Sequence, residues 1–283
     1  MTRSRPVRWM GIPGGRMEWA LLRSSFPRPL LLLLLLVGGL LVGPSPVRSQ
    51  AGTSFPTDDE LTALLQERVE QGRAVGIVLG VRGADGSTRV VTAGKAGDSA
   101  RPLDEESVFE IGSVTKVFTG ILLADMARRD EVSLSDPVAR HLPDDVRVPS
   151  RNGREITLFD LATHHSALPR LPSNLDPRDP ANPYADYTVE EMYDFLSGWE
   201  LGREIGSEYE YSNLGVGLLG HALSRAAGAS YEALVRERIL EPLGMGNTAI
   251  TLSEEMRARL ARGHDLAGEP ASLWDLPTLA GAG

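Results

Sequence analysis

The chain of 283 residues contains no cysteine. That excludes disulfides, thiolate metal sites, a cysteine nucleophile and a lipid-modified N-terminal cysteine together. Lysine is nearly as scarce: Lys95 and Lys116 are the only two, and every other basic side chain is arginine. Arginine cannot give up its proton near neutral pH, so a lysine retained in such a chain invites a chemical explanation. No phosphate loop, dinucleotide fingerprint, zinc motif or Gly-x-Ser-x-Gly elbow occurs, so no cofactor is implied and a lipase-type hydrolase is disfavoured. The net charge is −9, and seven arginines against the single acid Glu18 fall within residues 1–51, so the rest is more acidic still. An acidic body argues against nucleic acid or an anionic membrane as partner.

The basic stretch precedes an apolar run from Leu30 to Val42, broken only by Gly38 and Gly39, and then the small-residue segment Ser49-Gln50-Ala51. That three-part order is the layout of a secretory signal. The run is shorter than the roughly 20 residues a spanning helix needs, so no stable membrane span is expected, with an uncleaved N-terminal anchor as the lesser alternative to a cleaved signal. Residues 1–51 are therefore expected to be an export segment, with translation starting at Met17 giving it ordinary proportions. Residues 52–283 follow as the functional domain, placed outside the cytoplasm, periplasmic or extracellular.

Hydrophobic content of 42% supplies a sizeable core. After a linker, Asp59 to Gln71 reads as an amphipathic helix with Leu61, Leu64, Leu65 and Val69 at helical spacing. Gly76 to Val81 and Thr88 to Thr92 read as strands of an antiparallel hairpin closed at Asp85-Gly86. From Val114 to Arg129 the pattern leaves scarcely a polar face, which predicts a central, buried helix. Ser133 to Pro183 is rich in Pro, Asp and Asn and predicts an irregular or small helical subdomain. Helical periodicity returns at Val189 to Leu196, Gly215 to Ala226 and Tyr231 to Leu240. The fold class is α+β.

The chemistry concentrates in Phe109 to Lys116. A serine in the first turn of a buried helix, with a lysine three residues on, puts hydroxyl and amine on one helical face. For Lys116 to act as base its pKa must fall by roughly 3 units from about 10.4, which burial and the positive end of a helix dipole can supply. Taken alone, a Ser-x-x-Lys more often reflects a helix-capping serine and a lysine reaching for water. A second element, Tyr211-Ser212-Asn213, changes the balance: a phenol beside serine and lysine can relay a proton, and the Asn213 amide can hold both Lys116 and a substrate carbonyl. His164 and His165 are adjacent and diverge, a poor metal pair. His221 and Ser166 read as structural.

Phe109 to Lys116, Leu158 to Pro169, Tyr209 to Leu219 and Glu241 to Met245 occur in an order that resembles the serine beta-lactamase and penicillin-binding-protein family, and within it the class C beta-lactamase-related hydrolases. The resemblance runs from about Leu61 to Gly283. It implies an antiparallel sheet flanked by helices with a helical subdomain. It also implies Ser113 as acylated nucleophile, Lys116 as general base, Tyr211 as partner in proton transfer, and Asn213 as ligand of substrate and lysine. The expected substrate is a small molecule or a peptidoglycan peptide, through an ester, amide or beta-lactam carbonyl, with no cofactor. Two departures stand out. Ala167 occupies a position where the family carries glycine. The family's third motif, Lys-[Ser/Thr]-Gly or His-x-Gly on a later strand, has no match after Asn213, so the resemblance implies a truncated member without its last strands. One oxyanion donor is worth about 3 to 4 kcal/mol, so the 283-residue form is expected to lose activity or stability. Two further readings share the same residues: a non-hydrolytic binding or sensor protein, and an inactive family member. Oligomeric state is not encoded in any pattern.

Overall fold

The computed structural model describes residues 55–97 and 101–283. The expected export segment, residues 1–51, lies outside the described residues. The chain from Pro56 to Gly283 forms one compact unit.

Its first layer is a helix on a hairpin. Thr57 caps α1 (Asp58–Glu70): its hydroxyl accepts from the Glu60 N–H while the Glu60 carboxylate accepts from the Thr57 N–H at 2.8 Å. Both donors would otherwise be orphaned at the helix start, and the reciprocal pair sets the first residue. β1 (Gly76–Arg82) and β2 (Thr88–Gly94) pair antiparallel from Gly76 opposite Gly94 to Arg82 opposite Thr88. Leu61 and Leu65 of α1 bury against Val91 and Ala93 of β2, with Val69, Ile77, Leu79 and Val81 around them.

The larger layer is helical. A 3₁₀ turn (Gly112–Val114) leads into α2 (Thr115–Arg128). A two-residue hairpin, β3 (Ser150–Arg151) and β4 (Arg154–Glu155), precedes α3 (Leu158–Ala162). Then follow α4 (Val189–Gly198), α5 (Asn213–Ala227), α6 (Tyr231–Val235) running into a π turn (Arg236–Leu240), and α7 (Glu254–Ala258). Leu122, Met126, Leu158, Leu161, Met192, Leu196, Leu218 and Leu219 are fully buried in one cluster shared by α2, α3, α4 and α5. The sequence reading of 133–183 is met by a short 3₁₀ turn at Val138–His141, the small hairpin, α3 and connecting loops.

α5 is the most enclosed element, buried from Leu214 through Gly220. The Ser212 hydroxyl caps it by accepting from the Gly215 N–H at 2.8 Å, and Gly228 ends it in the left-handed conformation, φ +65°. Glycine inside a helix costs about 1 kcal/mol relative to alanine. Here the glycines let the C-terminal segment approach the backbone. A Cβ on Gly217 would stand 2.6 Å from the Leu279 side chain, and one on Gly220 would stand 2.9 Å from the Gly281 Cα. Leu279 and Ala282 are buried in this seam.

α2 departs from the sequence expectation. Leu122, Leu123 and Met126 are buried, but Val114, Val117 and Ile121 are 56%, 58% and 46% exposed. Apolar residues all round a helix predict burial all round only if every face is given a partner. The inner face of α2 packs in the helical cluster, whereas β1 and β2 turn their apolar side to α1. The expected sheet is, among the described residues, this two-stranded hairpin together with the small β3–β4 pair.

Two predictions follow from the packing of α5. Gly217→Ala should lower the free energy of unfolding by about 1–3 kcal/mol through overpacking, whereas Gly202→Ala, with open space where its Cβ would stand, should leave the urea midpoint unchanged; equal midpoints for both would contradict the seam. His221 lies on α5 with its Nε2 2.6 Å from the Tyr193 hydroxyl. Burial, reinforced by the Arg225 charge, holds its imidazole below the ordinary 6.5. As pH falls from 6.5 the unfolded chain therefore takes up this proton first, and stability drops until the lowered native value is passed. His221→Gln should lose less stability between pH 7.5 and 5.5 than the parent, as read by urea unfolding at the two pH values.

Candidate active site

Ser113 sits in the 3₁₀ turn ahead of α2, exposed to solvent, with Lys116 one turn later and partly buried. Gly112 takes φ +49°, so the turn that presents the serine uses a conformation glycine adopts without strain. The Lys116 Nζ lies 3.1 Å from the Ser113 Oγ, and the Tyr211 hydroxyl donates to the same oxygen at 2.7 Å. Lys116 also donates to the Asn213 Oδ1 at 2.9 Å and to the Ala282 carbonyl at 2.7 Å. All four residues singled out in the sequence therefore meet at one point.

The geometry of Lys116 carries chemical information. An ammonium has three N–H donors and a neutral amine has two plus a lone pair. Two of the three directions are taken by the carbonyl oxygens of Asn213 and Ala282, which can only accept. The third faces the Ser113 hydroxyl. Neutral Lys116 thus aims its lone pair at the serine proton, and protonated Lys116 returns a donor to the same oxygen.

Tyr211 lies in an irregular stretch before α5. Burial opposes ionisation of its phenol, but contact with Lys116, the hydrogen bond to Ser113 and the Lys116 and Arg170 charges prevail and hold it below the ordinary 10.0. The Lys116 Nζ stands 4.7 Å and the Arg170 guanidinium 5.1 Å from the ring centroid. Asn213, the first residue of α5, points its amide NH₂ at the Tyr184 hydroxyl, 3.3 Å away, which directs its carbonyl to Lys116. Its backbone N–H and that of Leu214 donate to the Arg170 carbonyl at 3.0 and 3.2 Å.

Several of these groups lie beyond what the motifs signalled. Ala282 acts through its backbone, which no side-chain pattern can reveal. Its segment is tied down by the Thr119 hydroxyl donating to the Gly281 carbonyl at 2.7 Å and by the Trp274 N–H donating to Glu110 at 3.2 Å. Tyr184 and Arg170 come from the loop-rich region where periodicity is silent, and His164, inside the Leu158 to Pro169 segment, is weighed in the sequence only as a metal ligand. Ala167 keeps φ +62° while buried, so the loop retains its left-handed torsion without glycine, at a cost of about 1 kcal/mol. His165 directs its Nδ1 to the Thr163 carbonyl, and His221 packs on Tyr193, in line with their structural reading. Ser166 is buried and accepts from the Leu168 N–H. Among the described residues no group of three or more His, Asp or Glu is arranged to hold a metal ion.

Residues 61–283 match the family model described as Beta-lactamase. The D-alanyl-D-alanine-carboxypeptidase/endopeptidase AmpH of Escherichia coli strain K12 is 38% identical over 179 residues, covering 62% of this chain and 46% of that protein. A beta-lactamase of Pseudomonas fluorescens is 28% identical over 216 residues, 75% of this chain and 55% of that one. The chain thus spans about half the length of these curated relatives, 46% and 55%. Among solved structures, the beta-lactamase/D-alanine carboxypeptidase from Yersinia pestis, complexed with citrate, superposes with a TM-score of 0.63 at 30% identity, over 78% of this chain and 63% of that one. The class C beta-lactamase from Rhodobacter sphaeroides gives 0.64 at 30% identity, over 78% and 59%. With a match that runs from the first turn of α1 to Gly283 and takes in both packed layers, the chain belongs to the beta-lactamase family.

Proposed function

We propose that the protein is a serine hydrolase that works through a covalent acyl-enzyme on an amide or beta-lactam carbonyl of the D-alanyl-peptide type. The observation that carries this reading is that the Ser113 oxygen meets both Lys116 and Tyr211, while the two remaining directions of the lysine nitrogen are fixed on carbonyls. In the first step the Ser113 hydroxyl proton passes to the neutral Lys116 amine as the oxygen bonds to the substrate carbonyl carbon. The tetrahedral adduct then collapses: the bond to the leaving nitrogen breaks, and that nitrogen takes a proton relayed from Lys116 through the Tyr211 phenol. Water then attacks the acyl carbon as one of its protons passes to the Lys116–Tyr211 pair; the bond to the Ser113 oxygen breaks and that oxygen takes the proton from the pair, releasing the acid and free Ser113. The names of the relatives, a carboxypeptidase/endopeptidase and beta-lactamases, support this substrate class. So does an open site, since the serine is solvent-exposed.

We place this activity outside the cytoplasm, in the periplasm or beyond the cell. The support is the basic, apolar and small-residue order of residues 1–51. No helix among the described residues is long and apolar enough to cross a membrane.

The test is active-site labelling of the 283-residue chain with a fluorescent penicillin and a fluorophosphonate. Ser113→Ala should abolish the label. Lys116→Arg keeps the charge but cannot act as base at neutral pH, and should slow labelling by at least about 10²-fold; Tyr211→Phe should slow it by about 10²-fold, the ordinary value of a positioned acid or base. Labelling that survives Ser113→Ala would contradict the proposal, as would a folded parent that takes no label even over hours, since lack of one oxyanion donor slows acylation by about 10²- to 10³-fold and does not abolish it.

A further inference from the structure

Tyr211 belongs to no helix or strand, so no ladder of backbone bonds fixes the phenol that must reach Ser113. Besides the Ser212 hydroxyl donating to the Pro169 carbonyl at 2.6 Å, and the Lys116 and Arg170 side chains over the ring, one residue on a different loop grips it from both sides. The His164 carbonyl accepts from the Glu210 N–H at 2.9 Å, and the His164 Nδ1 accepts from the Ser212 N–H at 3.1 Å. These two N–H groups flank Tyr211 on either side. Between them the imidazole lies on the Tyr211 ring, centroids 4.6 Å apart and planes 29° from parallel. To make all three contacts His164 takes φ +60°, a left-handed torsion that a non-glycine residue adopts only under strain.

We propose that His164 is a positioning residue for the reaction: in its neutral form, with the proton on Nε2, it clamps the Tyr211 backbone and ring so that the phenol points at Ser113. The inference rests on the proposed role of Tyr211, and extends it to a residue that contacts neither Ser113 nor a substrate carbonyl. Backbone geometry alone does not require histidine at this position, because asparagine and glycine tolerate the left-handed torsion better. Histidine adds two things they cannot add together, an acceptor for the Ser212 N–H and a flat face for the phenol.

The electrostatic setting favours the same protonation state. The charged and titratable groups that act on or touch the ring are Lys116, His165, Tyr209 and Tyr211. Burial first, then the charges of Lys116 and His165, hold the imidazole below its usual 6.5. A proton on Nδ1 would remove the acceptor for Ser212 and add a cation beside Lys116. The clamp therefore releases on acidification.

His164→Gly and His164→Asn provide the test, since both accept φ +60° without strain and only the second offers an acceptor oxygen to the Ser212 N–H. Two readouts are taken on the full 283-residue chain. The first is the ionisation of Tyr211 alone, obtained as the ultraviolet difference between each protein and its Tyr211→Phe counterpart during a pH titration. The second is the saturating rate of Ser113 labelling by fluorescent penicillin, separated from half-saturation. In His164→Gly the Tyr211 midpoint should rise toward that of a free phenol, and labelling should slow by roughly 10- to 100-fold at unchanged half-saturation, the usual effect of displacing a reacting group by about 1 Å. His164→Asn should restore both to within about threefold of the parent, the residue of the difference being the lost ring contact. An unmoved Tyr211 midpoint in His164→Gly would overturn the clamp whether or not the chain labels, because the titration needs no turnover. A parent that titrates as described but takes no label would leave the clamp standing and overturn the hydrolase.

Discussion

The site depends on how many hydrogen bonds one nitrogen can make. Lys116 Nζ has three directions, and the protein commits two of them to acceptors that never titrate, the Asn213 side-chain carbonyl and the Ala282 backbone carbonyl. Whatever its protonation state, the remaining direction belongs to Ser113. A catalytic lysine on a flexible four-carbon stem would otherwise sample many orientations. Here the ambiguity is removed by groups from α5 and from the last residues of the chain.

Much of the architecture reads as the means of delivering those two carbonyls. Asn213 is in place because Ser212 caps α5, because the Arg170 carbonyl takes the first free N–H groups, and because Tyr184 orients the amide. Ala282 is in place because Gly217 and Gly220 let the C-terminal segment settle against α5, where Leu279 is buried, and because Thr119 holds the Gly281 carbonyl. Both carbonyls reach Lys116 of α2, the helix that follows directly on the turn carrying Ser113. Ser113, Lys116 and the groups that orient the lysine are thus mounted on elements backed by one buried cluster, the rigid setting a preorganised site needs.

Motifs with a chemical reason were legible in the sequence. Ser113, Lys116, Tyr211 and Asn213 were marked by residue type and spacing, and the structure gathers them. The hairpin from Gly76 and the helix α1 were marked by periodicity and by Asp85-Gly86, and their observed limits differ from those expected by one or two residues. Burial of α2 was legible on one side only, since periodicity reports which faces are apolar and says nothing of whether each finds a partner. The Ala282 carbonyl was invisible because a backbone acceptor leaves no trace in residue identity. His164 looked like half of a poor metal pair; its work lies in a left-handed loop torsion and in contacts with residues more than forty positions away, neither of which local patterning encodes.

Because Lys95 and Lys116 are the only lysines, the central claim can be observed directly by nitrogen-15 NMR of the side-chain amines in lysine-labelled protein. Lys95 is exposed and serves as the internal reference. The account predicts two resolved Nζ signals, with that of Lys116 displaced from Lys95 and shifting on Asn213→Ala while Lys95 stays fixed. Coincident signals, or a Lys116 signal indifferent to Asn213→Ala, would show that its nitrogen is not held between the two carbonyls and the serine.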